Sequence, residues 1–170
     1  MSAAPRRAFV ALGSNLGDRE AHLAHARGAL AALPETSLLA ASYVYETEPQ
    51  DREEQPRFLN QVVALDTGLQ PLELLGACQR IEAERGRDRT IRFGPRTLDV
   101  DILLVEGMES DDPLLTVPHP RMWQRAFVLV PLAEVWAFAR GMPAVDVPAL
   151  GRELVREQPV QRYRPPEARR

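Results

Sequence analysis

The sequence predicts an α+β fold: a ferredoxin-like antiparallel sheet with helices packed on it, in a single layer pair. Three observations predict it. Apolar, β-branched segments of strand length and amphipathic segments of helix length follow one another in the order β-α-β-β-α-β. Gly, Pro, Asn and Asp mark each change of period. The 170 residues suit one domain with its own core, and no segment repeats.

The elements follow in order. Ala8 to Leu12 reads as a strand that runs into Gly13-Ser14-Asn15-Leu16-Gly17-Asp18, where two glycines and an Asx turn break the pattern. Asp18 can cap a helix to about Leu33, whose Leu23, Ala26, Leu30 and Leu33 form one apolar stripe, and Pro34 ends it. A strand from about Leu38 to Glu46 precedes a polar loop, Thr47 to Arg57, that carries Pro49 and Pro56. Phe58 to Asp66 alternates as a strand does, and Gly68 closes it. Pro71 suits the first turn of a second helix, which runs to about Arg85 and stops at Gly86. After an arginine-rich loop comes an apolar strand from Asp99, then a turn region to Val117. A helix-like segment starts near Pro120 and is interrupted by Pro131. Pro148 opens a last short helix, and Val160 to Arg164 can form an edge strand. The chain is expected to be a single domain over 1–170, flexible at about 1–6 and 165–170.

Composition narrows the chemistry. Hydrophobic and charged fractions of 45% and 26% are those of an ordinary soluble protein. A net charge of −3 argues against a general nucleic-acid binder, which carries a basic face. All 21 positive charges are arginine, so mechanisms that need a lysine, including the P-loop, protein-kinase and Schiff-base types, are excluded. The single cysteine, Cys78, can form no internal disulfide and falls at helical spacing with Leu74, Leu75 and Ile81, as a core residue does. No stretch has the length of a signal peptide's apolar segment or of a membrane span, so a cytoplasmic protein is expected. No exposed apolar stripe calls for a partner, and a monomer is expected.

The most informative segment is Arg92 to Leu104, R-F-G-P-R-T-L-D-V-D-I-L-L. Residues two apart on a strand share a face, so Asp99 and Asp101 emerge side by side from an apolar sheet. Two adjacent carboxylates repel unless a cation joins them. Oxygen-only donors favour a hard ion such as Mg²⁺, which keeps waters and shares its shell with phosphates. Arg87, Arg89, Arg92 and Arg96, just upstream, suit the phosphate side of such a site. An exposed edge or a salt-bridged pair is the plainer alternative for an Asp-x-Asp strand.

Other signals are weaker. The Gly13 to Gly17 turn lacks the Gly-Lys-Ser/Thr ending of a phosphate loop and reads as a tight strand-to-helix turn. Phe58 and Asn60 share a strand face, an aromatic surface beside an amide that matches a heterocycle edge such as an aminopyrimidinone; plain core and turn roles are the alternative. Gln79 and Glu82 share a helix flank, usually a solvated one. His119 is held between two prolines, with Arg125 and Phe127 following where they can face the same cleft. His22 and His25 could pair on a metal, but no third ligand is evident.

In combination, A-L-G-S-N-L-G-D, S-Y-V-Y-E-T-E-P, Q-P-R-F-L-N, Q-R-I-E, G-R-D-R, F-G-P-R-T-L-D-V-D-I-L-L, T-V-P-H-P-R-M and R-A-F-V-L-V-P-L resemble the 6-hydroxymethyl-7,8-dihydropterin pyrophosphokinase family over about residues 8 to 135. That resemblance implies attack of the pterin hydroxymethyl oxygen on the β-phosphorus of ATP, with AMP leaving. It implies Asp99 and Asp101 as ligands of two Mg²⁺ ions, and Arg87 and Arg96 as catalytic forks with them. Gln79, Glu82, Arg87, Arg89, Arg96, Ile102, Thr116, His119 and Arg125 match positions around ATP. Thr47, Phe58, Asn60, Phe93 and Phe127 match the pterin pocket, with Phe58 and Phe127 on opposite ring faces and Glu48 and Gln50 on the adjoining loop. Three departures stand out: Phe93 where many members carry Trp, Glu48 where Pro is frequent, and Gln50-Asp51 where a hydrophobic residue and Gly are common. The competing readings are a sugar-nucleotide transferase, for which 170 residues are a poor fit, and a ferredoxin-like ligand- or RNA-binding module, which would want a basic face with exposed aromatics.

Overall fold

Nine residues, Arg6–Ser14, form β1, an inner strand of the sheet. The structure is a computed structural model and describes residues 4–48, 56–86 and 97–166. After β1 come α1 (Arg19–Ala31), β2 (Thr36–Ala41), β3 (Tyr45–Thr47), β4 (Phe58–Thr67), α2 (Pro71–Glu84) and β5 (Asp99–Val105). A hairpin of β6 (Ser110–Asp112) and β7 (Leu115–Val117) follows, then α3 (Ala126–Val135), α4 (Val147–Leu154) and β8 (Gln161–Arg162). The sheet order is β5-β1-β4-β3-β8, with β2 also paired to β4, and every pairing is antiparallel.

Local chemistry explains most boundaries. Asp18 Oδ1 accepts from the Ala21 N–H at 3.1 Å and so opens α1. Pro71 begins α2, where its missing N–H costs nothing, and Gly86 past its end adopts φ +80°.

Alternation along β1 sends Ala8, Val10 and Leu12 to one face and Phe9, Ala11 and Gly13 to the other. The first set packs with Leu23, Ala26 and Leu30 of α1 and Leu74, Cys78 and Ile81 of α2. Phe9, with Val62, Ala64 and Leu104, packs against Val128, Leu129, Leu132 and Val135 of α3 and Val147 of α4. Helices therefore cover both faces, which corrects the expected single layer pair. The physical reason is that both faces of the central strands are apolar. Burying Phe9 or Leu129 alone is worth about 1.5–3 kcal/mol, and α3 is apolar nearly all round.

Three further expectations are corrected. The strand expected from Leu38 to Glu46 is two strands, because Ser42 leaves the ladder and its Oγ accepts from the Val62 N–H at 3.0 Å. The turn region before Val117 contains the β6–β7 hairpin, closed by Asp112 Oδ1 accepting from the Leu114 N–H at 2.9 Å. The segment from Pro120 is a 3₁₀ turn, Met122–Gln124, followed by α3, which continues through the buried Pro131. Arg6 is part of the sheet, opposite Thr67.

Candidate active site

The end of the sheet where β1 meets α1 brings together five of the candidate side chains, Asp99, Asp101, Asn60, Phe58 and Thr47. β1 lies between β4 and β5, with Gly13 opposite Asn60 on one side and Asp99 on the other. Directly opposed residues share a face, so Asp99, Gly13, Asn60 and, across β4, Tyr45 form one row on the face that α3 and α4 cover. Phe58 and Thr47 form the next row toward the sheet end, and Asp101 stands beside Ala11 in the row on the opposite side of the first.

Gly13 leaves the floor of this face low. A Cβ there would stand 3.4 Å from Asn60 Oδ1 and 4.0 Å from Phe58 Cδ1, filling the space beside both. Reading the glycine as a turn residue missed this role; strand alternation from Phe9 through Ala11 was the signal that could have found it.

Asn60 and Thr47 are both buried, and Asn60 Nδ2 donates to Thr47 Oγ1 at 2.8 Å. This bond fixes the amide plane and leaves its Oδ1 and second N–H as an acceptor and donor pair.

Asp99 is buried and Asp101 exposed. The acids therefore share a face but not a depth. Glu82 on α2 is buried, at 2% exposure, so the solvated flank expected for it with Gln79 is corrected; Gln79 is exposed. Burial, then the negative charges of Asp101 and Glu82, push the Cys78 thiol up to about 12. It stays protonated, as a core residue should.

His119 lies alongside β5, its backbone N–H donating to the Leu103 carbonyl at 2.9 Å. Its Nδ1 accepts from the Arg121 N–H at 3.3 Å. Burial lowers its pKa, and Arg125 and Arg121 lower it further. The ring is therefore neutral at pH 7, with its proton on Nε2 when Nδ1 accepts. Arg125 sits 5.4 Å from the centre of the half-buried Phe127 ring, on the first turn of α3.

Other candidates stand apart. Ile102 points to the opposite face, into the core against α1 and α2. Thr116 Oγ1 donates to the Asp112 carbonyl within the hairpin, at 3.1 Å. His25 bonds Glu84 at 2.7 Å, and His22 Nδ1 accepts from Arg85 Nε at 2.9 Å, so the two histidines face different partners. Glu48 is exposed and pairs with Arg57 at 2.9 Å. Gln50, Arg87, Arg89, Arg92, Phe93 and Arg96 lie outside the described residues.

The donor chemistry fits magnesium. Asp99 and Asp101 offer oxygen only, on an edge strand, and among the described residues no cluster of three or more His, Cys, Asp or Glu could cage a metal. One or two carboxylates completed by phosphate and water is the usual magnesium arrangement.

The sequence pattern of 7,8-dihydro-6-hydroxymethylpterin-pyrophosphokinase (HPPK) matches residues 9–137. The 2-amino-4-hydroxy-6-hydroxymethyldihydropteridine pyrophosphokinase of Pseudomonas aeruginosa is 52% identical over 130 residues, 76% of this chain and 80% of that one. The Bacillus subtilis protein of the same name is 48% identical over 128 residues, 75% of this chain and 77% of that one. Among solved structures, wild-type Plasmodium falciparum HPPK-DHPS with pterin and p-hydroxybenzoate superposes with a TM-score of 0.66 at 15% identity, a likeness of fold. The match covers 92% of this chain and 44% of that longer one.

Proposed function

This chain belongs to the 7,8-dihydro-6-hydroxymethylpterin-pyrophosphokinase family, and we propose that the row Asp99–Gly13–Asn60, with Phe58, Thr47, Asp101 and His119 around it, is its reaction centre. The protein transfers the diphosphate of ATP to the hydroxymethyl oxygen of 6-hydroxymethyl-7,8-dihydropterin, giving AMP and the pterin diphosphate in folate biosynthesis. The observation that carries the site reading is the opposition of Asn60 and Asp99 across Gly13. It sets an amide suited to a pterin edge across one intervening strand from the carboxylates suited to a metal-bound polyphosphate, on one continuous face.

In this reading Asn60 holds the aminopyrimidinone edge, its plane set by Thr47, while Phe58 and Phe127 hold the ring faces. Gly13 lets the ring lie against the sheet. Asp99 and Asp101 would hold two Mg²⁺ ions, whose chemistry when bound would be neutralisation of the triphosphate charge. Neutral His119 donates from Nε2 to a phosphate oxygen, and Arg125 adds positive charge on the same side. Gln79, Glu82, Ile102 and Thr116 match family positions around ATP, with Ile102 on the side of the sheet that α1 and α2 cover. Arg87, Arg89 and Arg96 complete the phosphate site, with Glu48, Gln50 and Phe93 at the pterin border. The strand order and antiparallel pairing support a ferredoxin-like core to which α3 and α4 add a second layer. A cytoplasmic monomer is part of the same reading; among the described residues no helix is long and apolar enough to cross a membrane.

The test is AMP release from ATP with Mg²⁺, with and without 6-hydroxymethyl-7,8-dihydropterin, for the parent and Asn60→Ala. AMP should form only with the pterin, in step with pterin diphosphate, and Asn60→Ala should raise KM for the pterin alone. A variant with unchanged pterin KM would refute this placement of the pocket.

A further inference from the structure

The chain that leaves the sheet at Glu48 returns at Pro56, and the neck where it does so is gripped by side chains that the reaction does not itself require. Arg19, the first residue of α1, donates from Nη1 to Glu46 Oε2 on β3 and to the Arg57 carbonyl, each at 2.9 Å. Asn15 Nδ2 donates to the neighbouring Pro56 carbonyl at 3.2 Å. One guanidinium thus joins the outgoing strand to the returning backbone. Its pair with Glu46 is sheltered, with side-chain exposures of 23% and 14%, whereas Glu48–Arg57 beyond it is exposed at 70% and 54%. Exposed pairs contribute little, so the inner contact should dominate.

A second element backs the first. Arg19 sits 5.7 Å from the centre of the Tyr163 ring, and the Tyr163 N–H donates to the Val44 carbonyl at 2.8 Å, carrying β8 onto the free edge of β3. Tyr163 lies beyond residues 9–137, outside the stretch that the family pattern matches. β3 is only three residues long, and its last residue, Thr47, orients Asn60. Small shifts of β3 therefore pass directly to the amide.

We propose that Arg19 is a positioning residue that clasps this neck, and that the C-terminal strand holds Arg19 in place through Tyr163, so that the Thr47–Asn60 pair is preset for the pterin. The inference rests on the reading of Asn60 as the pterin contact. Arg19→Ala should raise KM for 6-hydroxymethyl-7,8-dihydropterin about tenfold and Tyr163→Ala about threefold, with KM for ATP within about twofold of the parent. Arg19→Lys, which keeps a donor able to reach Glu46, should restore part of the loss. A purely structural role would instead lower the melting temperature and raise both KM values together, and that result would overturn the clasp. Unchanged pterin KM in Arg19→Ala, where Asn60→Ala raises it, would also overturn the clasp and leave the site reading intact. Unchanged pterin KM in Asn60→Ala would remove the site reading and the clasp with it. Should Arg19→Ala fail to fold, Glu46→Gln makes the same discrimination, because it keeps the shape and removes the charge.

Discussion

The two ends of β1, about 20 Å apart by strand rise, use the same kinds of charged residue in opposite ways. At its start, Arg7 Nε donates to Asp66 Oδ1 at 2.8 Å and Nη1 to the Phe138 carbonyl at 2.9 Å. Glu106 accepts there from the Arg7 backbone N–H at 2.9 Å and from Arg140 Nε at 3.0 Å. Each carboxylate meets a cation from a different segment, so the cluster ties chain to chain. At the other end of the strand, Asp99 and Asp101 place like charges two residues apart on one strand, a costly arrangement that a bound cation relieves. On the site reading proposed above, the network of opposite charges supports the fold, whereas the two acids set side by side serve a metal-bound ligand.

Breaking the site end should give the largest effect. Asp99→Ala or Asp101→Ala should lower turnover by about a thousandfold or more while the fold persists, as read by pterin-dependent AMP formation beside circular dichroism. His119→Ala should lose one hydrogen bond to a charged oxygen, about ten- to a hundredfold in kcat/KM. Because burial and the two arginines hold the His119 pKa below 6.5, parent activity should stay level as pH falls through 6.5 and decline only lower, if this ring sets the acid limb. A decline centred at or above 6.5 that vanishes in His119→Gln would contradict a neutral donor.

How much of this contrast was legible in the sequence depended on how local its causes are. The Asp18 cap, the Pro71 start and the Gly86 stop act within a turn of the residues they govern, and each was placed from sequence. The Asp99 and Asp101 pair was legible because strand alternation needs only neighbours. What was missed is tertiary. The break at Ser42 depends on a bond to Val62, twenty residues away. Pro131 was read as an interruption, yet packing of α3 on the sheet outweighs one lost helical bond. Ala126 N–H, at the start of that helix, is satisfied by Gln158 Oε1 at 2.9 Å, from far down the chain. The depth difference between Asp99 and Asp101, and the burial of Glu82, likewise depend on which elements close over them.

Weakening the other end should move stability and spare the chemistry. Burial raises the Glu106 carboxyl, but the Arg7 N–H and Arg140 outweigh it and hold its pKa below 4.5. A depressed carboxylate stabilises the fold above its unfolded pKa and loses that contribution as pH falls through the folded one. Glu106→Gln should therefore cost about 1 kcal/mol at pH 7, and the gap to the parent should close in acid below the folded pKa, by denaturant melts at several pH values. The smallest effect belongs to Arg140→Ala, whose half-exposed side chain should be worth a few tenths of a kcal/mol.

The most direct test sets one variant from each end side by side: Asp101→Asn and Glu106→Gln, each measured for pterin-dependent AMP formation and for melting temperature. Asp101→Asn should lose turnover by about a thousandfold with its melting temperature near that of the parent, while Glu106→Gln melts lower and keeps full turnover. An active Asp101→Asn, or a Glu106→Gln that folds but does not turn over, would contradict the division of β1 into a catalytic and a supporting end.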